Sequence, residues 1–319
     1  MGVVGFGGRV LVVGAAGFVG SAVVGRLVGL GVGVRLLVHR VGVPVGLEGV
    51  EGVEVVWGDL GVVGSLRGVC EGVGVVLHLA SRVGGGWEEC RVVNVEGTRA
   101  LLGEARRAGV GRVVQLGTAA VYRDGVHRGA VEGELEEGPV SAASVTRLEG
   151  ERLVLGAGGT VLRPHLVFGQ GDRWVVPSLV GLLGRLPFWV DGGRARMSMV
   201  SVDVLADVLV ELALGGGVSG GVLHVGHPVP VSARELVGTV VGELGLVLPS
   251  GEVDVEGALA WLGGVGGGGA DAGVRRLVSL LAVDHWYDSG RLWGSVGVSP
   301  GPRFSQAFGR YAEWYRQQL

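Results

Sequence analysis

Gly14, Gly17 and Gly20 stand three residues apart, between the apolar run Val10–Val13 and a helical stretch. Glycine is common in this chain, 66 of 319 residues, so these three matter only for what flanks them. At a strand-to-helix turn each has a physical task. Gly14 permits a tight turn, Gly17 lets the backbone approach a pyrophosphate, and Gly20 lets the helix pack closely on the strand. The helix start adds unpaired N–H groups and the positive end of a dipole. The stretch Gly14–Gly20, with Ala16, Phe18 and Val19 inside it, is therefore expected to hold a dinucleotide phosphate. At the end of the second apolar run, Val34–Val38, the next residues are His39 and Arg40. A carboxylate at Val38 would bind both ribose hydroxyls of NAD and repel a 2′-phosphate. Arg40 instead offers a planar fork suited to phosphate, so NADP(H) is the expected cofactor.

The elements needed to hold such a site are legible as alternating runs. Val10–Val13, Val34–Val38, Val53–Trp57, Val73–Leu79, Val113–Leu116 and Thr160–Leu162 read as strands. Gly20–Leu30, a segment around Gly64–Cys70, Val93–Ala108 and Ser144–Leu155 read as helices between them. Repeated βα units with near-continuous apolar strands predict an α/β fold, a Rossmann-type doubly wound parallel sheet. Residues 1–164 are expected to form the NADP(H)-binding domain. Residues 165–319 form a smaller substrate-binding region, with segments returning to the main sheet. There, Pro177–Leu186, Val202–Leu214 and Ser232–Leu244 read as helices, the last capped by Ser232 with Glu235. Val222–Val225 reads as a strand and Gly263–Gly269 as a flexible loop. Phe304–Gln318 reads as a helix whose Phe308, Tyr311, Trp314 and Tyr315 pack inward. Trp174, Phe188, Trp189 and Met197 line either a substrate pocket or the core.

Several motifs, in order, carry a resemblance to the extended short-chain dehydrogenase/reductases. They are Gly14-x-x-Gly17-x-x-Gly20, Gly58-Asp59-Leu60, His78-Leu79-Ala80-Ser81, Val93-Asn94-Val95-Glu96-Gly97-Thr98, and Leu162-Arg163-Pro164 with Val167-Phe168-Gly169. Asp284–Leu292 and Trp314-Tyr315-Arg316 resemble the family's C-terminal end. The resemblance implies that Asp59 and Leu60 contact adenine, and that Leu79, Ala80, Ser81, Pro164, His165 and Val167 lie on the nicotinamide side. It also implies a catalytic hydroxyl at Thr118, four residues before Tyr122, and a substrate bounded by Ser81, Thr118, Tyr122, Ala143 and His165. No metal ligand set is expected.

One motif is broken. Aligning Pro139–Glu151 with the family's Y-x-x-x-K helix puts Ala143 where Tyr belongs and Arg147 where Lys belongs. No tyrosine lies between Tyr122 and Tyr287. Ala143 cannot pass a proton, and Arg147 is permanently charged, though it can still donate to the nicotinamide ribose. Losing a general acid removes about 10²–10⁴ in rate, so the proton must come from elsewhere. Three readings follow. One is a ketoreductase in which Thr118 polarises the carbonyl and water or a substrate hydroxyl gives the proton; tyrosine-less members of this kind resemble the ketoreductases of aromatic polyketide antibiotics. Another is an epimerase, dehydratase or dehydrogenase of sugar nucleotides or steroids, with Tyr122, His165 or Ser144 as the relocated acid. The third is a non-catalytic NADP(H) sensor.

Composition narrows the partners. With 27 basic and 30 acidic residues the net charge is −3, which directs no strong field at nucleic acid or anionic membrane. Arg26, Arg35 and Arg185 interrupt the apolar stretches before a membrane helix's length is reached. Met1–Arg9 lacks the basic-then-apolar order of a signal peptide. Cys70 and Cys90 are read as small buried hydrophobes in a reducing cytosol. The expectation is a cytoplasmic enzyme with a small-molecule substrate and no membrane partner, compatible with a homodimer.

Overall fold

The computed structural model describes residues 8–39, 46–47, 49–215, 218, 220–266 and 272–319. Seven strands form its main sheet: β1 (Arg9–Val13), β2 (Val34–Val38), β3 (Val53–Trp57), β4 (Val73–His78), β5 (Arg112–Leu116), β6 (Thr160–Pro164) and β7 (Gly221–Val225). All pair in parallel, in the order β7-β6-β5-β4-β1-β2-β3. Val10–Val13 and all of β2 are buried, which is why these strands, Arg35 apart, are apolar runs rather than alternating ones.

Helices cover both faces. On one, Val19, Val23, Val24 and Leu27 of the Phe18–Gly29 helix pack with Leu205, Val208, Leu209 and Leu212 of the Val202–Leu214 helix. On the other, Leu11, Val13, Leu37 and Val76 meet Leu101 and Ala105. The fold is a Rossmann-type α/β sheet. β1 has β2 on one side and β4 on the other, so the connections diverge there and leave a crevice beyond their carboxyl ends.

A second core holds Leu179, Met197, Leu236, Val240, Phe304, Phe308 and Tyr315. Beside it a small sheet runs in the order Val231–Ser232, Arg196–Met197, His285–Tyr287, His127–Ala130. Residues on both sides of position 164 thus serve both sheets: His127–Ala130 joins the small one, and Val202–Leu214 and β7 belong with the large one.

Some expected elements differ. The helix expected at Val93–Ala108 starts earlier, at Trp87–Arg91, and passes through a π-helical turn at Val92–Gly97 before Thr98–Arg107. At the end of the π-helical turn Gly97 lies flat against Leu60: a Cβ there would stand 2.5 Å from the Leu60 carbonyl oxygen. The segment around Gly64–Cys70 is only a 3₁₀ turn at Val63–Leu66, with Gly68 in the left-handed region beyond it. Phe304–Gln318 is two helices, Phe304–Phe308 and Ala312–Gln318; Phe308, Tyr311 and Tyr315 are buried, as the packing reading expected. Gly263 and Gly264 lie inside the Val255–Gly266 helix rather than in a loop, and residues 267–269 fall outside the described residues. Both cysteines are buried and unpaired. No described helix is long and apolar enough to cross a membrane.

Candidate active site

The crevice opens on the glycine turn. Gly14 sits at φ 93°, and a Cβ on it would stand 2.8 Å from the Ala80 backbone nitrogen. Gly20 is tighter still, with a Cβ position 2.0 Å from the Gly14 carbonyl oxygen. Gly17 caps the helix that starts at Phe18, and Ala16 and Gly17 are exposed. The first-turn N–H groups of that helix have no partner within it, so they present donors at an open surface. Phe18 packs under Gly171, 3.0 Å from a Cβ built there. That loop is anchored by Tyr315, whose hydroxyl accepts from the Gly169 N–H (2.8 Å) and donates to Asp172 (3.0 Å). A turn at a helix start, where Gly14 and Gly20 leave no room for a Cβ against neighbouring backbone, fits a dinucleotide pyrophosphate.

Of the other expected cofactor residues, Leu79 and Ala80 lie beside this turn. Leu79 donates its N–H to Val13 O at 2.8 Å, which holds the β4 end beside the β1 end, and Ala80 faces Gly14. Leu60 is buried against Gly97. The Asp59 carboxylate accepts from the Gly61 N–H at 2.7 Å, so it shapes its own turn. Pro164 ends β6, and Val167 pairs with Val200. His39 is exposed at the end of β2, and Arg40 lies outside the described residues.

Thr118 stands two residues beyond the end of β5, after Gly117. Its hydroxyl oxygen accepts the Ala120 N–H at 3.1 Å, which leaves its own proton free to donate elsewhere. The helix Ala142–Gly156 carries Ala143 and Arg147 past this point. Ser141 and Ser144 start it as a reciprocal cap, so Ser144 is spent on the helix end. Asn94 fixes its place: the amide bridges Arg82 O (2.9 Å), Arg82 N (2.7 Å) and Thr146 Oγ1 (2.9 Å). This ties the loop that contains Ser81 to the helix. Arg147 donates to the Gly117 carbonyl at 2.8 Å, and burial pushes its guanidinium below its ordinary pKa.

The sequence reading missed Glu151. Fully buried on the same helix, it accepts from Thr118 N at 3.1 Å and from Arg163 Nε at 2.8 Å. Burial raises its carboxyl pKa, opposed by Arg163. Arg163 reaches on to Glu137 at 2.6 Å and lies over the Tyr122 ring, 5.0 Å from its centroid. The signal was present in the sequence: an arginine ending a buried strand requires a buried acid, and Leu148-Glu149-Gly150-Glu151 offers one.

Tyr122 is buried rather than open to the crevice. Its hydroxyl lies 2.5 Å from His224 Nε2, and His224 Nδ1 faces the Asp288 carbonyl at 3.3 Å. A carbonyl only accepts, so Nδ1 carries the proton and the phenol donates to Nε2. Burial raises the phenol's pKa. His165 stacks on His285 (5.5 Å) and packs near Tyr287 (5.8 Å). Its Nε2 is buried without a partner, and its pKa is pushed down to about 3, first by burial and then by His285 and Arg276. Of the four residues expected at a pocket or core, Trp189 and Met197 are buried, Phe188 stacks edge-on against Trp261, and Trp174 is 68% exposed.

A family model described as the NAD dependent epimerase/dehydratase family matches residues 10–226. Among curated proteins, the chain is 28% identical over 262 residues to a 4-hydroxy-2-methyl-3-oxo-4-farnesyl-3,4-dihydroquinoline-1-oxide ketoreductase of Stigmatella aurantiaca, covering 79% of this chain and 78% of that one. It is 30% identical over 253 residues to a 2-alkyl-3-oxoalkanoate reductase of Stenotrophomonas maltophilia, covering 74% and 76%. Among solved structures, MoeE5 in complex with UDP-glucuronic acid and NAD superposes with a TM-score of 0.75 at 25% identity, over 98% of this chain and all of that one. A phosphate cradle at the sheet's switch point and a match running from β1 to β7 lead to one assignment: the chain belongs to the NAD dependent epimerase/dehydratase family and is an NAD(P)-dependent oxidoreductase.

Proposed function

We propose that this enzyme is an NADPH-dependent reductase of a ketone on an apolar, polycyclic aromatic frame, and that the protein supplies no acid of the usual kind. The observation that carries this reading is the pairing of Thr118, with a hydroxyl proton left to donate, with Ala143 on the helix where a phenol would stand. The names of two relatives, a ketoreductase of a ring-bearing quinoline oxide and a reductase of alkyl oxoalkanoates, support keto reduction on apolar substrates.

In this reading the glycine cradle from Gly14 to Gly20 holds the pyrophosphate, and His39 with Arg40 selects the 2′-phosphate. When bound, the nicotinamide supplies hydride. Thr118 donates to the substrate oxygen as charge develops there, which is where a fixed donor contributes most. Ala143 leaves room for the substrate. Arg147, a guanidinium that donates to the Gly117 carbonyl, is a fixed donor and not a proton relay. The proton comes from water or from a hydroxyl beside the ketone, whose internal O–H···O bond already activates the carbonyl.

The relocated-acid reading meets two obstacles. The Tyr122 phenol is buried and bonded to His224, and a His165 with a pKa of about 3 is neutral near pH 7 and a poor proton donor. Two buried, unpaired cysteines accord with a cytosolic setting.

The test begins with the cofactor. NADPH should bind more tightly than NADH, and Arg40→Ala should remove most of that difference. NADH binding at least as tightly to the wild-type protein would refute the cofactor assignment. NADPH oxidation is then followed with phenol-flanked aryl ketones and with sugar nucleotides. Turnover of the sugar nucleotides alone would replace this reading, and cofactor binding with no turnover on either set would favour a sensor.

A further inference from the structure

Arg147 occupies the place of the family's lysine, and the structure gives it a task that needs neither a proton nor a ribose. It lies one helical turn before Glu151, on the same face of the Ala142–Gly156 helix. The two grip opposite ends of one peptide unit. The Arg147 guanidinium donates to the Gly117 carbonyl at 2.8 Å, and the Glu151 carboxylate accepts from the Thr118 N–H at 3.1 Å. Gly117 and Thr118 share that peptide bond.

We propose that Arg147 and Glu151 are positioning residues, a two-point clamp that fixes the Gly117–Thr118 peptide and thereby aims the Thr118 hydroxyl. The inference rests on the role proposed above for Thr118.

Each side of the clamp is itself fixed. Glu151 is held by Arg163 Nε at 2.8 Å, and Arg163 by Glu137 at 2.6 Å. The helix cannot slide, because Thr146 is bonded to Asn94 and a Cβ on Gly150 would stand 2.4 Å from the Asn94 carbonyl oxygen. Gly117 has no slack either: its N–H donates to Leu162 O at 2.7 Å, and a Cβ on it would stand 2.3 Å from Glu151 Oε1. A planar peptide held at its oxygen and its nitrogen has only small rotations left. The Thr118 side chain starts one bond later and inherits that orientation. An enzyme with one hydroxyl and no phenol depends on this aim more than one with both. The exchange of lysine for arginine at 147 then keeps a positive donor at the site while giving up the cofactor-side role.

The test uses Arg147→Met, Arg147→Lys and Glu151→Gln, each alone and combined with Thr118→Val. NADPH affinity is read by nicotinamide fluorescence without substrate, kcat and KM with a phenol-flanked aryl ketone, and amide hydrogen exchange over residues 114–122. Arg147→Met should lower kcat about 10- to 100-fold, the scale of a misplaced catalytic group, with NADPH affinity within about twofold of wild type. Arg147→Lys, which can still donate to the carbonyl, should restore most of kcat. Adding Arg147→Met to Thr118→Val should cost little more, because both act through one hydroxyl. Exchange at 114–122 should quicken in Arg147→Met and Glu151→Gln.

A large loss of NADPH affinity with unchanged kcat would make Arg147 a cofactor ligand and overturn the clamp. So would losses that simply add to that of Thr118→Val, or unchanged exchange at 114–122. Should the wild-type protein reduce no ketone, the proposed function falls, and the exchange and affinity measurements still decide the clamp.

Discussion

Replacing Thr118 with valine should lower kcat/KM about 10²–10³-fold, the usual cost of losing one fixed donor to a developing oxyanion, or ~2.7–4 kcal/mol. Valine keeps the shape and removes the hydroxyl. The structure adds a second consequence: Thr118 Oγ1 also accepts the Ala120 N–H at 3.1 Å, so valine leaves that group without its partner. The Ala120 N–H is only half-buried, so losing this bond should cost up to about 1 kcal/mol and lower the melting temperature modestly alongside the fall in rate. Thr118→Ser separates the two effects, since it restores both bonds. The expected pattern is near wild-type rate and stability in serine, and loss of both in valine, with cofactor affinity little changed. Unchanged kcat/KM in Thr118→Val would remove this residue from the mechanism.

The second large effect is structural. Gly20→Ala places a methyl group 2.0 Å from the Gly14 carbonyl oxygen, 2.8 Å from the Gly14 carbonyl carbon and 3.1 Å from the Ala15 Cα. All three are backbone atoms, with no flexible side chain to swing aside. The helix must therefore lift off the strand, and its N–H groups with it. Overpacking of this kind costs about 1–3 kcal/mol, and the displaced phosphate cradle should bind cofactor too weakly to detect by titration. Two companions sharpen the result. Gly17→Ala meets only the Gly14 carbonyl oxygen, at 3.2 Å, so it should spare stability while impairing cofactor binding through the exposed surface it occupies. Gly25→Ala meets nothing within 4 Å and should stabilise the helix by up to about 1 kcal/mol. A Gly20→Ala protein that melts and binds cofactor like the wild type would refute this account of the cradle.

The parallel sheet was legible because burial on both faces writes itself into sequence as near-continuous apolar runs rich in valine and leucine. The bounds of β2 and β3 and of the Val202–Leu214 helix agree with the sequence reading to the residue. What stayed hidden was set by distant partners. In the π-helical turn at Val92–Gly97, Asn94 bonds to Arg82 and Thr146 and Gly97 lies on Leu60, contacts with distant residues that no local propensity encodes. Glu151 takes its role only from Arg163, on another element, which needs a counter-charge. The partner that occupies the Tyr122 hydroxyl, His224, lies 102 residues away, so the sequence alone does not show it. At Trp174, expected to line a pocket or the core, the side chain is largely exposed instead.

The measurement that bears most directly on the central claim pairs a labelled cofactor with two matched substrates. NADPH carrying deuterium at C4 of its nicotinamide is mixed with a phenol-flanked aryl ketone and, separately, with the methyl ether of that phenol. The account predicts deuterium on the new carbinol carbon, and slower reduction of the ether than its added bulk explains. It also predicts that Tyr122→Phe and His165→Ala keep both limbs of the wild-type pH–rate profile, and that Ala143→Tyr with Arg147→Lys gains no rate. Equal rates for phenol and ether, together with a lost pH limb in His165→Ala or a large gain from restoring the tyrosine–lysine pair, would show that a protein-supplied proton limits the reaction and would contradict it.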